Sequence, residues 1–374
     1  MSEYSVEKTK KYTMKLRELV LTLPRFCTDF FRGIEFTTGI MTRYGYAVDL
    51  KTFFTYLMGT DICDGIESMR DIGYDVLERV DTLTIECFLE YVSLYQPDDD
   101  PDDLVINGER AKARKLSAIR SLFKYLYKKE RIKNNAPALV DTPKLHEKPI
   151  IRLEPDEMER LLETVEKGDG LTDKQKQFHQ ANAVRDTAII TLFLGTGMRI
   201  SELVGIDVDD INFMSNEVRI TRKGGNEELI VFGQEVRRAL LRYMVYREGA
   251  VPVEGHEKAF FLSLQKKRMS VRSVEMLVKK YAKIAAPLKN ISPHKLRSTY
   301  GTMLYRETGD IYLVADVLGH KDVNTTRKHY AAMSEDRRRL AAEVVKLRES
   351  DDGDVSFDRL AEENSSPASP EKKE

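Results

Sequence analysis

Six side chains in the second half of the chain have the chemistry needed to act on a phosphate. A planar guanidinium donates two parallel charge-assisted hydrogen bonds, so two arginines can hold both non-bridging oxygens of a phosphodiester. A tyrosine hydroxyl, with an ordinary pKa of about 10, can attack the phosphorus once a base or positive potential activates it. A lysine can give a proton to the leaving oxygen. The candidates are Arg199, Lys223, His294, Arg297, His320 and Tyr330.

Each candidate also has a structural alternative. Arg199, in Gly-Thr-Gly-Met-Arg-Ile-Ser-Glu-Leu, could begin a helix and pair with Glu202, and Lys223 beside two glycines could be a solvated turn residue. The His-x-x-Arg pair in Pro-His-Lys-Leu-Arg could belong to a helix surface, and a tyrosine could be a core residue. Taken singly, each side chain is more often structural. Their order and setting together predict phosphoryl transfer on nucleic acid without a metal or other cofactor.

The composition indicates a chain with two domains. The 374 residues exceed one ordinary core, and 41% of them are hydrophobic. No apolar run approaches the roughly 18 residues of a membrane span, and the N-terminus has no apolar signal segment. Cys27, Cys63 and Cys87 show no metal-ligand spacing. We therefore expect a cytoplasmic protein with reduced thiols and no metal site.

Positive charge is concentrated locally, although the formal net charge is only −1. Residues 110–133 hold ten Lys or Arg against one Glu, whereas the last 24 residues hold eight acids and three bases. Such clustering predicts contact with the phosphates of double-stranded DNA, and a solvated helix face is the alternative. The candidate contacts are Arg43, Arg110, Lys112, Arg114, Lys115, Arg120, Lys124, Arg222, Arg272, Lys295, Lys321 and Lys328.

Periodicity predicts a mainly α-helical protein with a small antiparallel β-sheet in the second domain. Helices are expected from about residue 38, over 82–95 and over 110–130 in the first domain. In the second, strands at 217–221 and 229–232 flank a Gly-Gly-Asn hairpin tip, and 259–262 could add a third strand. Helices are predicted at about 155, 184–194, 271–285, 294–306, 311–317, 323–332 and 335–348.

Breaks in periodicity and composition predict the domain boundaries. Three prolines between residues 134 and 150 favour an extended interdomain linker. The predicted segments are an N-terminal extension 1–20, a helical DNA-binding domain 21–133, the linker 134–150, a catalytic domain 151–334, a C-terminal helix 335–348 and a disordered acidic tail 349–374.

The six candidates and their flanking motifs resemble those of tyrosine recombinases of the phage-integrase and Xer family. The resemblance implies that Tyr330 forms a 3′-phosphotyrosine, Lys223 protonates the 5′-oxygen and His294 takes the proton of the nucleophile. It also implies that Arg199, Arg297 and His320 stabilise the phosphorane. Tyr305 and Tyr312 lie in segments that match helix packing and are poorer nucleophile candidates.

The family resemblance further implies a C-shaped clamp of two domains around DNA. Four protomers would hold two sites and exchange strands through a Holliday junction, with residues 335–348 docked into a neighbouring protomer. Segments near residues 23–57 and 221–225 are most similar to the Xer subgroup that acts as a single protein, with an accessory protein possible. A phage or transposon integrase, a type IB topoisomerase-like enzyme and a non-catalytic DNA-binding protein stay open as alternatives.

Overall fold

The computed structural model describes residues 3–96, 104–144, 150–222 and 225–319. Three of the six catalytic candidates, Lys223, His320 and Tyr330, lie outside these ranges, as do Lys321, Lys328 and the helices predicted over 323–348. The described chain is mainly helical and contains two small antiparallel sheets. Among the described helices, none is long and apolar enough to cross a membrane.

An N-terminal core, built from buried residues between Leu16 and Val140, is almost entirely helical. The periodicity predicted over 110–130 is confirmed, because Leu116, Ile119 and Leu122 lie on one fully buried face. The elements are α1 (Glu3–Val20), α2 (Phe26–Gly33), α3 (Ile40–Met58), α4 (Tyr74–Arg79), α5 (Thr82–Tyr91), β1 (Leu94–Tyr95), β2 (Val105–Ile106) and α6 (Glu109–Lys128).

Two local predictions for this region were wrong. Helix α5 begins as expected, with the Asp81 side chain accepting from the backbone of Thr84, but it ends at Tyr91. Residues Leu94 and Tyr95 instead pair with Ile106 and Val105 as an antiparallel ladder. A second small sheet therefore lies in the part of the chain that was expected to be all α-helical.

The N-terminal segment forms an 18-residue helix, α1, although its sequence shows only weak periodicity. Leu16 and Val20 near its end join the N-terminal core. Tyr4 near its start packs against a second core, with its ring centroid 5.9 Å from the guanidinium carbon of Arg268. Helix α1 thus contacts both cores, and packing compensates for its weak amphipathic pattern.

The segment after α6 packs against the N-terminal core and is not fully extended up to residue 144. Asn134 hydrogen-bonds the backbone of Glu78 and Val80, and Val140 is buried. Arg120 donates to the carbonyl oxygens of Pro137 and Val140 and, at 2.8 Å, to the hydroxyl of Thr142. These contacts give Arg120 a structural role in holding this segment against α6, and its predicted contact with DNA stays a prediction.

A central core, built from buried residues between Leu153 and Leu296, surrounds a three-stranded sheet. Its helices start where capping predicts, since Pro155 opens α7 and Glu154 and Glu157 form a reciprocal capping box. The elements are α7 (Pro155–Lys167), α8 (Asp173–Thr196), α9 (Ile200–Val204), β3 (Ile211–Asn212), β4 (Glu217–Thr221), β5 (Glu227–Val231), α10 (Gln234–Glu248), α11 (Val271–Ala285) and α12 (Pro293–Thr308).

The sheet has the order β3-β4-β5, with both pairs antiparallel. The expected hairpin of β4 and β5 is confirmed. The third strand is Ile211–Asn212, and the prediction of a strand at 259–262 was wrong, because that segment makes only isolated bridges, Asp207 to Ala259 and Leu262 to Arg268.

The described residues from Gly301 to Gly319 belong to a second compact unit. Its described part contains the end of α12 and helix α13 (Ile311–Val317). The Asp310 side chain caps α13 by accepting from the backbone of Tyr312 and Leu313.

Candidate active site

The turn between α8 and α9 presents the first candidate arginine. Helix α8 ends at Thr196 and is capped by Gly197, which has a left-handed backbone with φ of 62°, a conformation that glycine adopts without steric cost. The chain then reverses, and Arg199 takes the extended N-cap position of α9. The Gly-Thr-Gly-Met-Arg segment therefore contains the turn between α8 and α9, and this turn holds Arg199 next to the last turn of α8.

Glu202 holds Arg199 through both its backbone and its side chain. The backbone N–H of Arg199 donates to Glu202 Oε2 at 2.7 Å, and its Nη1 donates to Oε1 at 2.9 Å. The Glu202 side chain is 2% exposed, whereas that of Arg199 is 37% exposed. The predicted structural alternative for Arg199 is thus present, although its side chain stays partly exposed.

Arg297 reaches the same junction from helix α12. It is 4% exposed, and its Nη1 donates at 2.6 Å to the carbonyl oxygen of Gly197. Gly197 lies two residues before Arg199, so Arg297 contacts the turn that carries Arg199, which precedes it by 98 positions in the sequence. Donors fixed in this way need little reorganisation when charge develops on a phosphate between them.

His294 lies one helical turn before Arg297, in the first turn of α12. Residues three apart share a helix face, so the His-x-x-Arg spacing points both side chains to the same side. His294 is exposed, and its carbonyl oxygen accepts from the Ser298 hydroxyl at 3.1 Å. An exposed imidazole beside a buried arginine is suited to exchange a proton with a bound substrate.

The hairpin that carries Lys223 is described up to Arg222 and again from Gly225. The N–H of Arg222 donates to the carbonyl of Asn226 at 2.8 Å, and the N–H of Gly225 donates to the carbonyl of Arg222 at 3.0 Å. Gly225 has φ of +87°. The described residues that flank positions 223 and 224 are therefore hydrogen-bonded to one another, as the predicted hairpin requires.

Arg222 does not have the exposure expected of a DNA contact. Its side chain is 10% exposed, and it pairs with Glu228 and lies 3.8 Å from Glu202. Its contact with DNA stays a prediction, and the ion pairs favour a structural role. Glu202 and Glu228 were not among the predicted site residues, because their importance depends on contacts between elements that periodicity does not reveal.

The predicted DNA contacts on α3 and α6 divide into exposed and buried side chains. Arg110, Arg114 and Lys124 are exposed, and Lys112 is partly exposed. Arg43 is 13% exposed and pairs with Glu35 at 3.0 Å. On the central core, Arg272 is exposed and Lys295 is partly buried.

Lys115 is buried in an ion pair, and we do not retain it as a DNA contact. Its Nζ lies 3.4 Å from Oδ1 of Asp49, and the two side chains are 4% and 0% exposed. Arg114 donates to the other carboxylate oxygen of Asp49. Burial raises the pKa of Asp49, which the two cations oppose, and burial also lowers the pKa of Lys115. This cluster joins α3 to α6.

Within the described ranges, no group of three His, Cys, Asp or Glu side chains is arranged to hold a metal ion.

The sequence profile described as the phage integrase family matches residues 151–337. The tyrosine recombinase XerC of Caldanaerobacter subterraneus subsp. tengcongensis is 34% identical over 293 residues, which cover 75% of each chain. The tyrosine recombinase XerS of Streptococcus uberis is 30% identical over 341 residues, covering 83% of this chain and 93% of the relative.

Solved structures show the same fold. A XerH site-specific recombinase bound to palindromic difH substrate aligns with a TM-score of 0.62 and 21% identity, covering 82% of this chain and 80% of that one. The Tn1549 transposon integrase in complex with transposon right end DNA aligns with a TM-score of 0.60 and 19% identity, covering 85% and 98%.

The chain therefore belongs to the phage integrase family, as a site-specific tyrosine recombinase of the Xer type. Enzymes of this class are DNA strand transferases, and the resemblance deduced from the sequence motifs is confirmed.

Proposed function

We propose that the chain binds double-stranded DNA at a specific site and cuts and rejoins it through Tyr330. The observation that carries the proposal is the buried contact of Arg297 with the Gly197 carbonyl, beside an Arg199 held by Glu202. Two guanidinium groups fixed at one junction provide a site for the non-bridging oxygens of one phosphodiester. The two arginines come from different segments, and both make their contacts at the turn between α8 and α9.

In the proposed cleavage step, the Tyr330 oxygen forms a bond to phosphorus as the bond from phosphorus to the 5′-oxygen breaks. His294 accepts the tyrosine proton, and Lys223 gives a proton to the departing 5′-oxygen. Arg199, Arg297 and His320 stabilise the negative charge of the pentacoordinate state. Rejoining is the reverse reaction with a different 5′-hydroxyl, and the phosphotyrosine conserves the phosphodiester bond energy, so no ATP is required.

DNA binding is assigned to exposed basic residues on two helices. Arg110, Arg114 and Lys124 follow one another along α6 at intervals of one to three turns, and all are exposed. Arg272 occupies the second position of α11 and is 81% exposed. Contacts of this kind position DNA without reading its sequence, and their number sets the salt dependence of binding.

The biological role that we propose is Xer-like resolution of chromosome or plasmid dimers by a homotetramer acting on two sites. The similarity to XerC and XerS over most of their lengths supports this role more than integration of a mobile element. Strand exchange would proceed in two pairs through a Holliday junction. An accessory protein could select which pair is active.

A recombination assay tests this function. The binding site is first selected from a pool of random duplexes with the purified protein, and two direct copies are placed on one supercoiled plasmid. We expect resolution into two smaller circles without ATP or added metal, and a four-way junction that accumulates when one strand exchange is blocked. Relaxation of plasmids without the site, with no resolution, would instead indicate a type IB topoisomerase-like activity.

A further inference from the structure

We propose that Arg222 is a positioning residue that connects the Lys223 hairpin to the Arg199–Glu202 pair. This inference rests on the proposed function, because it concerns the delivery of the proton from Lys223. It replaces the prediction that Arg222 contacts DNA. Three observations support it: the ion pair of Arg222 within its own hairpin, its approach to a buried carboxylate, and the limited strand pairing around it.

The first observation is a two-point ion pair inside the hairpin. Nε and Nη2 of Arg222 both donate to the carboxylate of Glu228, the latter at 2.5 Å. Glu228 is the partner of Ile220 in the β4–β5 ladder, so the pair crosses the two strands near the tip. A bidentate pair fixes the plane of the guanidinium as well as its position. Such an arginine is committed to protein contacts, and a phosphate would have to displace Glu228.

The second observation is that the remaining nitrogen approaches Glu202. Nη1 of Arg222 lies 3.8 Å from Oε1 of Glu202, the oxygen that accepts from Nη1 of Arg199 at 2.9 Å. That carboxylate is 2% exposed. Charges interact more strongly where water is excluded, so the two arginines and Glu202 form one electrostatic unit. Glu202, on helix α9, is thereby connected to the residue that directly follows β4.

The third observation concerns how the hairpin is supported. Strand β3 pairs only with Glu217 and Val218, at the base of β4. Near the tip, Thr221 pairs with Glu227 and has no ladder partner on its other side among the described strands. The Arg222–Glu202 contact therefore supports the tip end of the hairpin, where β3 does not pair with β4.

Arg222 directly precedes Lys223, and consecutive Cα atoms are about 3.8 Å apart. Fixing the backbone of residue 222 through its side chain restricts where the next residue can begin. The Arg222 side chain thus links the candidate proton donor to the arginine that would hold the scissile phosphate. Misplacement of a reacting group by about 1 Å can cost on the order of 100-fold in rate.

The test uses DNA in which sulfur replaces the bridging 5′-oxygen at the cleaved phosphate. A thiolate leaves without protonation, so this substrate bypasses the general acid. Single-turnover cleavage of the selected site is measured with oxygen and sulfur substrates, for wild type, Arg222→Gln and Lys223→Ala. Arg219→Gln is the matched control, because Arg219 lies on β4 three residues before Arg222, is half-exposed and pairs with Asp210.

We expect Arg222→Gln to slow cleavage of the oxygen substrate by about 10- to 100-fold and that of the sulfur substrate by less than about 3-fold. Lys223→Ala should show the same pattern with a larger loss, and Arg219→Gln should match wild type on both. If Arg222→Gln fails to fold, Glu228→Gln, which removes one charge of the same pair, should show the pattern at smaller amplitude.

Two results would overturn the inference while leaving the proposed function intact. In the first, sulfur rescues Lys223→Ala but Arg222→Gln stays equally slow on both substrates. In the second, Arg222→Gln weakens DNA binding and lowers the slope of log affinity against log salt by about 1, as loss of a phosphate contact would. If sulfur does not rescue Lys223→Ala, the assignment of Lys223 as proton donor fails, and the inference fails with it.

Discussion

Arg297→Lys is expected to slow DNA cleavage by about 100- to 1000-fold, the usual effect of removing one fixed donor from a transition-state site. Lysine keeps the positive charge but lacks the planar fork, so it cannot bind the Gly197 carbonyl and a phosphate oxygen together. The affinity for DNA should change by less than about 3-fold, since one of several phosphate contacts is only weakened.

The measurement is single-turnover cleavage of the selected site, with binding measured separately at several salt concentrations. Arg306→Lys is the matched control, because Arg306 is an exposed residue on the same helix, α12. It should cleave at the wild-type rate. A loss of affinity for Arg297→Lys with an unchanged cleavage rate at saturating protein would show that Arg297 contributes to ground-state binding only, and it would remove Arg297 from the proposed transition-state site.

Asp49→Ala is expected to lower the free energy of unfolding by about 3–5 kcal/mol, the typical cost of removing one partner from a buried ion pair. Asp49 is fully buried and binds both Lys115 and Arg114. Without it, the ammonium group of Lys115 has lost its counter-charge in a site that is 4% exposed. Burial already lowers the pKa of Lys115, and loss of Asp49 should lower it further.

Urea unfolding followed by circular dichroism provides the measurement. Asp71→Ala removes one partner of an ion pair with Arg25 whose side chains are 55% and 75% exposed, and it should cost less than about 1 kcal/mol. The double variant Asp49→Leu, Lys115→Met removes both buried charges and should recover most of the loss. A loss below about 1 kcal/mol for Asp49→Ala would contradict the role assigned to this cluster.

Elements with a clear local signal were predictable from the sequence. Helix α6 followed from its regular apolar face, and helix α7 from Pro155 and the acidic residues of its first turn. The β4–β5 hairpin followed from alternating strands around glycines. Helix α1 and the pairing of Leu94–Tyr95 with Val105–Ile106 were missed, because both depend on packing or pairing with distant segments.

The charged residues show most clearly what local sequence cannot supply. Three basic side chains were predicted from their charge to contact DNA, yet each is bound by protein groups: Lys115, Arg120 and Arg222. The partner of Lys115 is 66 positions away, and the carbonyls bound by Arg120 lie up to 20 positions beyond it. A basic run identifies a charged helix, whereas only the fold shows which side chains are free to face DNA.

For the candidate site, the motifs indicated which residues to examine but not how they meet. The contact between Arg297 and the Gly197 carbonyl spans 100 positions, and no periodic pattern predicts it. Glu202 was foreseen only as a structural partner of Arg199, although its buried carboxylate also approaches the Lys223 hairpin through Arg222. The catalytic roles of the six residues stay a proposal, and the described contacts add that Arg297 reaches the carbonyl of Gly197, two residues before Arg199.

The most direct measurement is covalent trapping on a nicked suicide duplex that carries the selected site and a labelled strand. Cleavage releases a short fragment across the nick, so the enzyme stays attached to the 3′-end of the cut strand. We expect the wild-type protein to form a labelled adduct that resists denaturant, Tyr330→Phe to form none, and Tyr305→Phe and Tyr312→Phe to retain it. An adduct that persists in Tyr330→Phe, or its absence from the wild type, would contradict the proposed chemistry.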